Sequence, residues 1–123
     1  MSRESAPGLG LIVNTPPYGN RTARDSIDFA LAAAAMDFEL RIYFPGLAIL
    51  QLAAERNASA AMLPGGYRAW AALPDLSAAR VFVEQQWQAF CQARELDLVM
   101  PVEALSASGM KKSWRRCDHV IVL

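Results

Sequence analysis

Four side chains of this chain could take part in nucleophilic or proton-transfer chemistry: the thiols of Cys91 and Cys117, the imidazole of His119, and the carboxylate of Glu84 at the end of an apolar run. Cys91 shares a face with Trp87 and Phe90 at helical spacing, so it reads as a small buried hydrophobe. Cys117 lies between Arg116 and Asp118, and basic neighbours lower a thiol's pKa, which makes it a candidate reactive thiol. It precedes a strand, though, on the rim opposite the usual site of a parallel sheet. Glu84 has no second acid or histidine near it in sequence, so a structural or interface role is favoured over a general base. The two cysteines lack zinc-ligand spacing, and the single histidine cannot complete a four-ligand site, so no metal is expected. No cofactor is expected either. The loop Asn14 to Asn20 contains Pro16-Pro17-Tyr18-Gly19 and no phosphate-binding glycine fingerprint, and Gly8-Leu9-Gly10 comes before the strand, where that fingerprint has no physical meaning.

The elements that would position these residues follow from periodicity and breakers. Short apolar runs at 9–13, 38–44, 80–83, 98–102 and 119–123 read as strands. Helical patterns lie between them: one with an alanine-rich face carrying Ile27, Ala30, Leu31, Ala34 and Ala35, a short one from Leu47 to Glu55, and others at 67–73, 85–95 and 106–116. Pro16-Pro17, Pro45-Gly46, Pro64-Gly65-Gly66 and Pro74 punctuate the chain. Pro101 cannot donate to a ladder and marks its strand as an end or an edge. Strict alternation of strand and helix predicts an α/β fold: one domain, a three-layer sandwich around a five-stranded, mostly parallel sheet in the flavodoxin-like order 2-1-3-4-5. Residues 1–7 read as a flexible N-terminus and 8–123 as the domain. In that order the loops after strands one and three flank the switch point, which directs attention to Asn14–Asn20 and to Glu84.

Composition narrows the functional classes. Hydrophobic residues make up 54% of the 123, too many for a disordered chain and enough to suggest apolar surface buried against other subunits. Twelve basic residues balance twelve acidic ones, so no overall field draws the chain to nucleic acid or to an anionic membrane. Lys111-Lys112 and Arg115-Arg116 read as a solvated helix face. Trp70, Trp87 and Trp114 read as core or interface anchors. No apolar run reaches the roughly 18 residues of a membrane span, and no signal-peptide pattern opens the chain. The reduced thiols fit a cytoplasmic setting.

Several short motifs, in their order and spacing, resemble the DsrE/DsrF/DsrH superfamily, and within it the DsrF or TusC branch. Pro17-Tyr18-Gly19 resembles that family's loop after the first strand. Tyr43-Phe44 followed by Gln51-Leu52 resembles its second-strand motif, with Leu47 and Ala48 standing where the family has Asp-Gly. Asp118 to Leu123 resembles its closing strand. The resemblance implies a subunit of a sulfur-relay hetero-oligomer, two copies each of three similar chains, working beside DsrE/TusD-like and DsrH/TusB-like partners in tRNA wobble-uridine 2-thiolation or dissimilatory sulfur oxidation. It places Glu84 where the sulfur-carrying subunit keeps its persulfide cysteine, and so implies a positioning role without catalysis. Tyr18, Gly19, Leu47, Ile49, Leu50 and Gln51 are the expected rim or interface residues. Two alternatives stand beside this reading: a stand-alone sulfurtransferase using Cys117 or Cys91, and a homo-oligomeric binding module with no sulfur role.

Overall fold

The computed structural model describes residues 8–14, 28–30, 32, 33, 36, 39–52, 70, 71, 73 and 79–123, without the side chain of Gln51. The expectations for residues 1–7, for Tyr18 and Gly19, and for the breaker Pro64-Gly65-Gly66 lie outside these residues.

Five strands form one sheet: β1 (Gly8–Ile12), β2 (Glu39–Phe44), β3 (Arg80–Glu84), β4 (Glu103–Leu105) and β5 (His119–Val122). All four pairings are parallel. A 3-10 helix, Gly46–Leu52, follows β2. Helix α1 (Gln85–Ala93) follows β3, and α2 (Ala107–Trp114) lies between β4 and β5. Residues 28–30, 32 and 33 are also helical. The expected α/β class and five-stranded sheet are present.

The strand order is not the expected one. It runs β4-β3-β2-β1-β5, where 2-1-3-4-5 was expected. The chain steps in one direction from β1 to β4 and reverses only at the last crossover. A right-handed crossover places its helix on a face set by the direction of the step. Successive steps in one direction therefore load one face, and the single reversal sends α2 to the other. The packing follows this division. Leu9, Leu11, Leu40, Ile42, Phe44, Val81 and Val83 form the large core with Ala30, Ile49, Leu52 and Cys91. Ile12, Tyr43, Phe82 and Met110 form a small second core, joined at its margin by Leu105, Trp114 and Cys117. Alternation along each strand sends neighbours to opposite faces.

The fourth strand is also displaced. It was expected at 98–102 and forms at Glu103–Leu105, while Leu98 makes only an isolated bridge. Pro101 has no N–H to give a ladder, so regular pairing with β3 starts after it. The short helix expected from Leu47 is a 3-10 helix beginning one residue earlier.

Helix α1 ends in a Schellman arrangement. The Leu96 N–H donates to the Cys91 carbonyl and the Glu95 N–H to that of Gln92. Glu95 sits there at φ 56, in the left-handed region. An L side chain at such a position costs about 1 kcal/mol relative to glycine. Glu95→Gly is therefore expected to raise the urea midpoint of unfolding, and a fall would show that the carboxylate has a stabilising contact elsewhere.

Candidate functional site

Ligand sites of parallel α/β sheets collect at the C-terminal ends of the strands. In this order the ends of β1 and β3 are not neighbours, because β2 lies between them. The rim is accordingly organised around the ends of β2 and β3.

Glu84 closes β3 and stands at the N-cap position of α1 with extended backbone, φ −80 and ψ 137. Its side chain does not cap that helix. Oε2 instead accepts a hydrogen bond of 3.0 Å from the Gly46 N–H, across to the turn that leaves β2. Gly46 holds φ +57, which L side chains rarely adopt, and the Trp87 indole nitrogen lies 4.0 Å from where a Cβ would stand. The carboxylate and the glycine thus act as one device. Glycine lets the backbone reverse after Pro45, and Glu84 satisfies the amide that the reversal leaves without a helical acceptor. Trp87 packs edge-on against Phe90, with ring centroids 5.3 Å apart, and flanks the turn.

The 3-10 helix after this turn divides the residues expected at a subunit surface. Leu47 is exposed and Leu50 is half-buried, but Ile49 is wholly buried in the chain's own core beside Ala48 and Leu52. For Ile49 the expectation of an interface is corrected. Three residues per turn turn positions 49 and 52 to the same side, onto the sheet. Tyr18, Gly19 and the Gln51 side chain lie outside the described residues.

Neither thiol takes part in this turn. Cys91 is buried, and that burial pushes its thiol above the ordinary range, against a smaller opposing effect of the Arg94 guanidinium. Cys117 sits ahead of β5, at the opposite rim from Glu84, and is half-buried. Its Sγ lies over Gly10, where an added Cβ would come within 2.9 Å, and 3.9 Å from the Tyr43 hydroxyl. That hydroxyl shares a 2.7 Å hydrogen bond with Ser113. Cys117 therefore fills the space left by a glycine. His119 pairs in register with Leu9 and faces the other side of the sheet, so the two do not form a Cys-His pair. A small thiol reagent is expected to label Cys117 in the native protein and Cys91 only on unfolding. Equal native rates would contradict the burial of Cys91.

Sequence reasoning placed Glu84 at a strand end but missed Gly46 and Trp87 as its companions. The signal available was Pro45-Gly46 directly after an apolar run. No helix among the described residues is long and apolar enough to cross a membrane.

Comparison with known proteins adds to this geometry. The model of the DsrE/DsrF-like family matches residues 8–123. A protein named TusC homolog, from Aliivibrio fischeri, is 23% identical over 114 residues, covering 93% of this chain and 97% of that one. The crystal structure of the ychN protein from E. coli superimposes with a TM-score of 0.71 at 17% identity, over 95% of this chain and 99% of that one, which shows a shared fold.

Proposed function

This chain belongs to the DsrE/DsrF-like family, and from that premise we propose that it is a subunit of a sulfur-relay assembly that positions its partners and carries no sulfur at the end of β3. The observation that supports this most is the bond from the Gly46 amide to Glu84. Persulfide transfer requires an accessible thiolate that attacks and then leaves. Here the position that the family resemblance gives to the sulfur-bearing cysteine holds a carboxylate, and that carboxylate is engaged in shaping the neighbouring turn. Burial raises the pKa of Cys91 and hides it, and Cys117 is packed over Gly10 at the other rim. The similarity to a TusC homolog supports the same role. The partners would be DsrE/TusD-like and DsrH/TusB-like chains in the cytoplasm, with the sulfur destined for wobble-uridine 2-thiolation or for dissimilatory sulfur oxidation.

The test is to co-express the chain with two related subunits, one bearing a cysteine after its third strand, load the purified assembly from a persulfide donor, and locate the added sulfur by intact-mass and peptide analysis. The expected result is sulfane sulfur on the partner alone, with loading unchanged by Glu84→Ala in an assembly that stays whole. Sulfane sulfur on Cys117 or Cys91 of this chain would overturn the reading in favour of a sulfurtransferase. So would an intact Glu84→Ala assembly that no longer loads.

A further inference from the structure

The two edges of the sheet are built differently. The β4 edge is three residues long, follows Pro101, and carries Glu103 in a two-pronged ion pair with Arg80, at 2.9 and 2.7 Å. Shortness, proline and charge are devices that stop an edge from recruiting another strand. The β5 edge, four residues long, lacks the other two: His119-Val120-Ile121-Val122 holds no lysine, proline or carboxylate. Its ladder to β1 uses alternate residues. The Leu123 N–H donates to the Ile12 carbonyl, and the Leu123 carbonyl accepts from Asn14. Ile121 is in phase with Leu123, whereas Val120 and Val122 are out of phase and direct their backbone N–H and C=O away from the sheet. No strand among the described residues lies on that side of β5.

Apolar surface gathers along the same edge. Of five large hydrophobic side chains exposed among the described residues, four belong to β5 or to the helical segment beside it and the turn that follows: Phe29 at 42%, Met36 at 62%, Val120 at 41% and Val122 at 65%. A groove of about 570 Å³ runs between segment and strand, walled by Leu9, Phe29, Ala33, Met36 and Ile121.

We propose that the β5 edge docks a second copy of this chain, by antiparallel pairing of the two β5 strands about a two-fold axis at Ile121. In that register Val120 of each copy lies opposite Val122 of the other, and every outward N–H meets an outward C=O. The four valines meet on one face of the joined sheet, and the Ile121 side chains and groove walls meet on the other. A small apolar ligand in the groove would leave Val122 uncovered on the opposite face, and the backbone groups of Val120 and Val122 unmatched. A second copy covers all of these. No charged side chain lies within the paired segment, and the chain's net charge is zero, so two copies do not repel. The four side chains present on the order of 400 Å² of apolar surface per copy, taking roughly 200 Å² for a large side chain in full exposure. That is about half of the ~800 Å² per partner of a standard interface. A contact of that size is a weak and reversible one.

This contact is between identical chains and does not rest on the sulfur-relay reading. Sedimentation velocity of the full chain from low micromolar to several hundred micromolar is expected to pass from monomer to dimer. Val122→Lys should hold it monomeric throughout with unchanged circular dichroism, and hydrogen exchange at the Val120 and Val122 amides should slow with native protein concentration while that at Ile121 does not change. If Val122→Lys does not fold, Met36→Glu on the helical side provides the same comparison. A dimer indifferent to the folded variant overturns the proposal. So does a native chain that stays monomeric at the highest concentration, whether its groove then takes up a hydrophobic dye or β5 becomes protected only when another chain of the family is added.

Discussion

Tyr43→Ala is expected to lower the free energy of unfolding by about 3–5 kcal/mol, the range for deleting a large buried ring. The reason lies in how thinly the second face of the sheet is covered. Among the described residues only α2 packs there, and the core beneath it comprises Ile12, Tyr43, Phe82 and Met110. Tyr43 is fully buried, stacks on Phe82 with centroids 4.9 Å apart, and meets Trp114 edge-on at 5.6 Å. Removing its ring removes the centre of that cluster. Tyr43→Phe keeps the ring and loses the 2.7 Å bond to Ser113, for about 1–2 kcal/mol. The pH dependence separates the two variants further. Burial raises the Tyr43 hydroxyl pKa above its ordinary value of 10.0, with the neighbouring Cys117 also raising it and the Ser113 bond opposing the shift. The unfolded chain then gives up this proton first. The contribution is complete below the unfolded pKa and is lost as pH rises through the folded one. Urea midpoints measured from neutral to strongly alkaline pH should fall less steeply for Tyr43→Phe than for the native chain. Equal slopes would assign the alkaline loss to other groups.

Gly46→Val is expected to destabilise by about 2–3 kcal/mol, because a β-branched residue is forced to a positive φ. The Cβ itself is unobstructed, since it would meet nothing nearer than the Trp87 nitrogen at 4.0 Å. Gly46→Asn should therefore lose less than about 1 kcal/mol, as asparagine tolerates the left-handed region. Glu84→Ala should lose about 1–2 kcal/mol with the bond to the Gly46 amide. Gly46→Val and Glu84→Ala both undo one turn, so their effects should fall short of additivity in a double-mutant cycle. Additive losses would mean that the carboxylate and the glycine act separately. Leu47 is exposed directly after this turn. On the sulfur-relay reading, Gly46→Val, the larger of the two losses, should therefore weaken capture of a partner subunit while sulfur loading of the partner persists, whereas the milder Glu84→Ala leaves the assembly whole.

Much of this was legible in the chain. The apolar run Leu9 to Val13, the run Arg80 to Val83, and the helical spacing of Trp87, Phe90 and Cys91 located elements because such patterns are local properties of the chain. Pro101 marked an edge because a missing N–H is visible in any context. The absence of a thiol at the end of β3 is likewise a fact of residue identity. Tertiary structure alone decided the strand order, since that order depends on the face taken by each crossover, and both solutions use the same strands. It alone joined Glu84 to Gly46, 38 residues away, set Cys117 over Gly10, and turned Ile49 inward. Those outcomes rest on contacts between distant segments, whose free energies appear only once the sheet has assembled and chosen which side of every strand is covered.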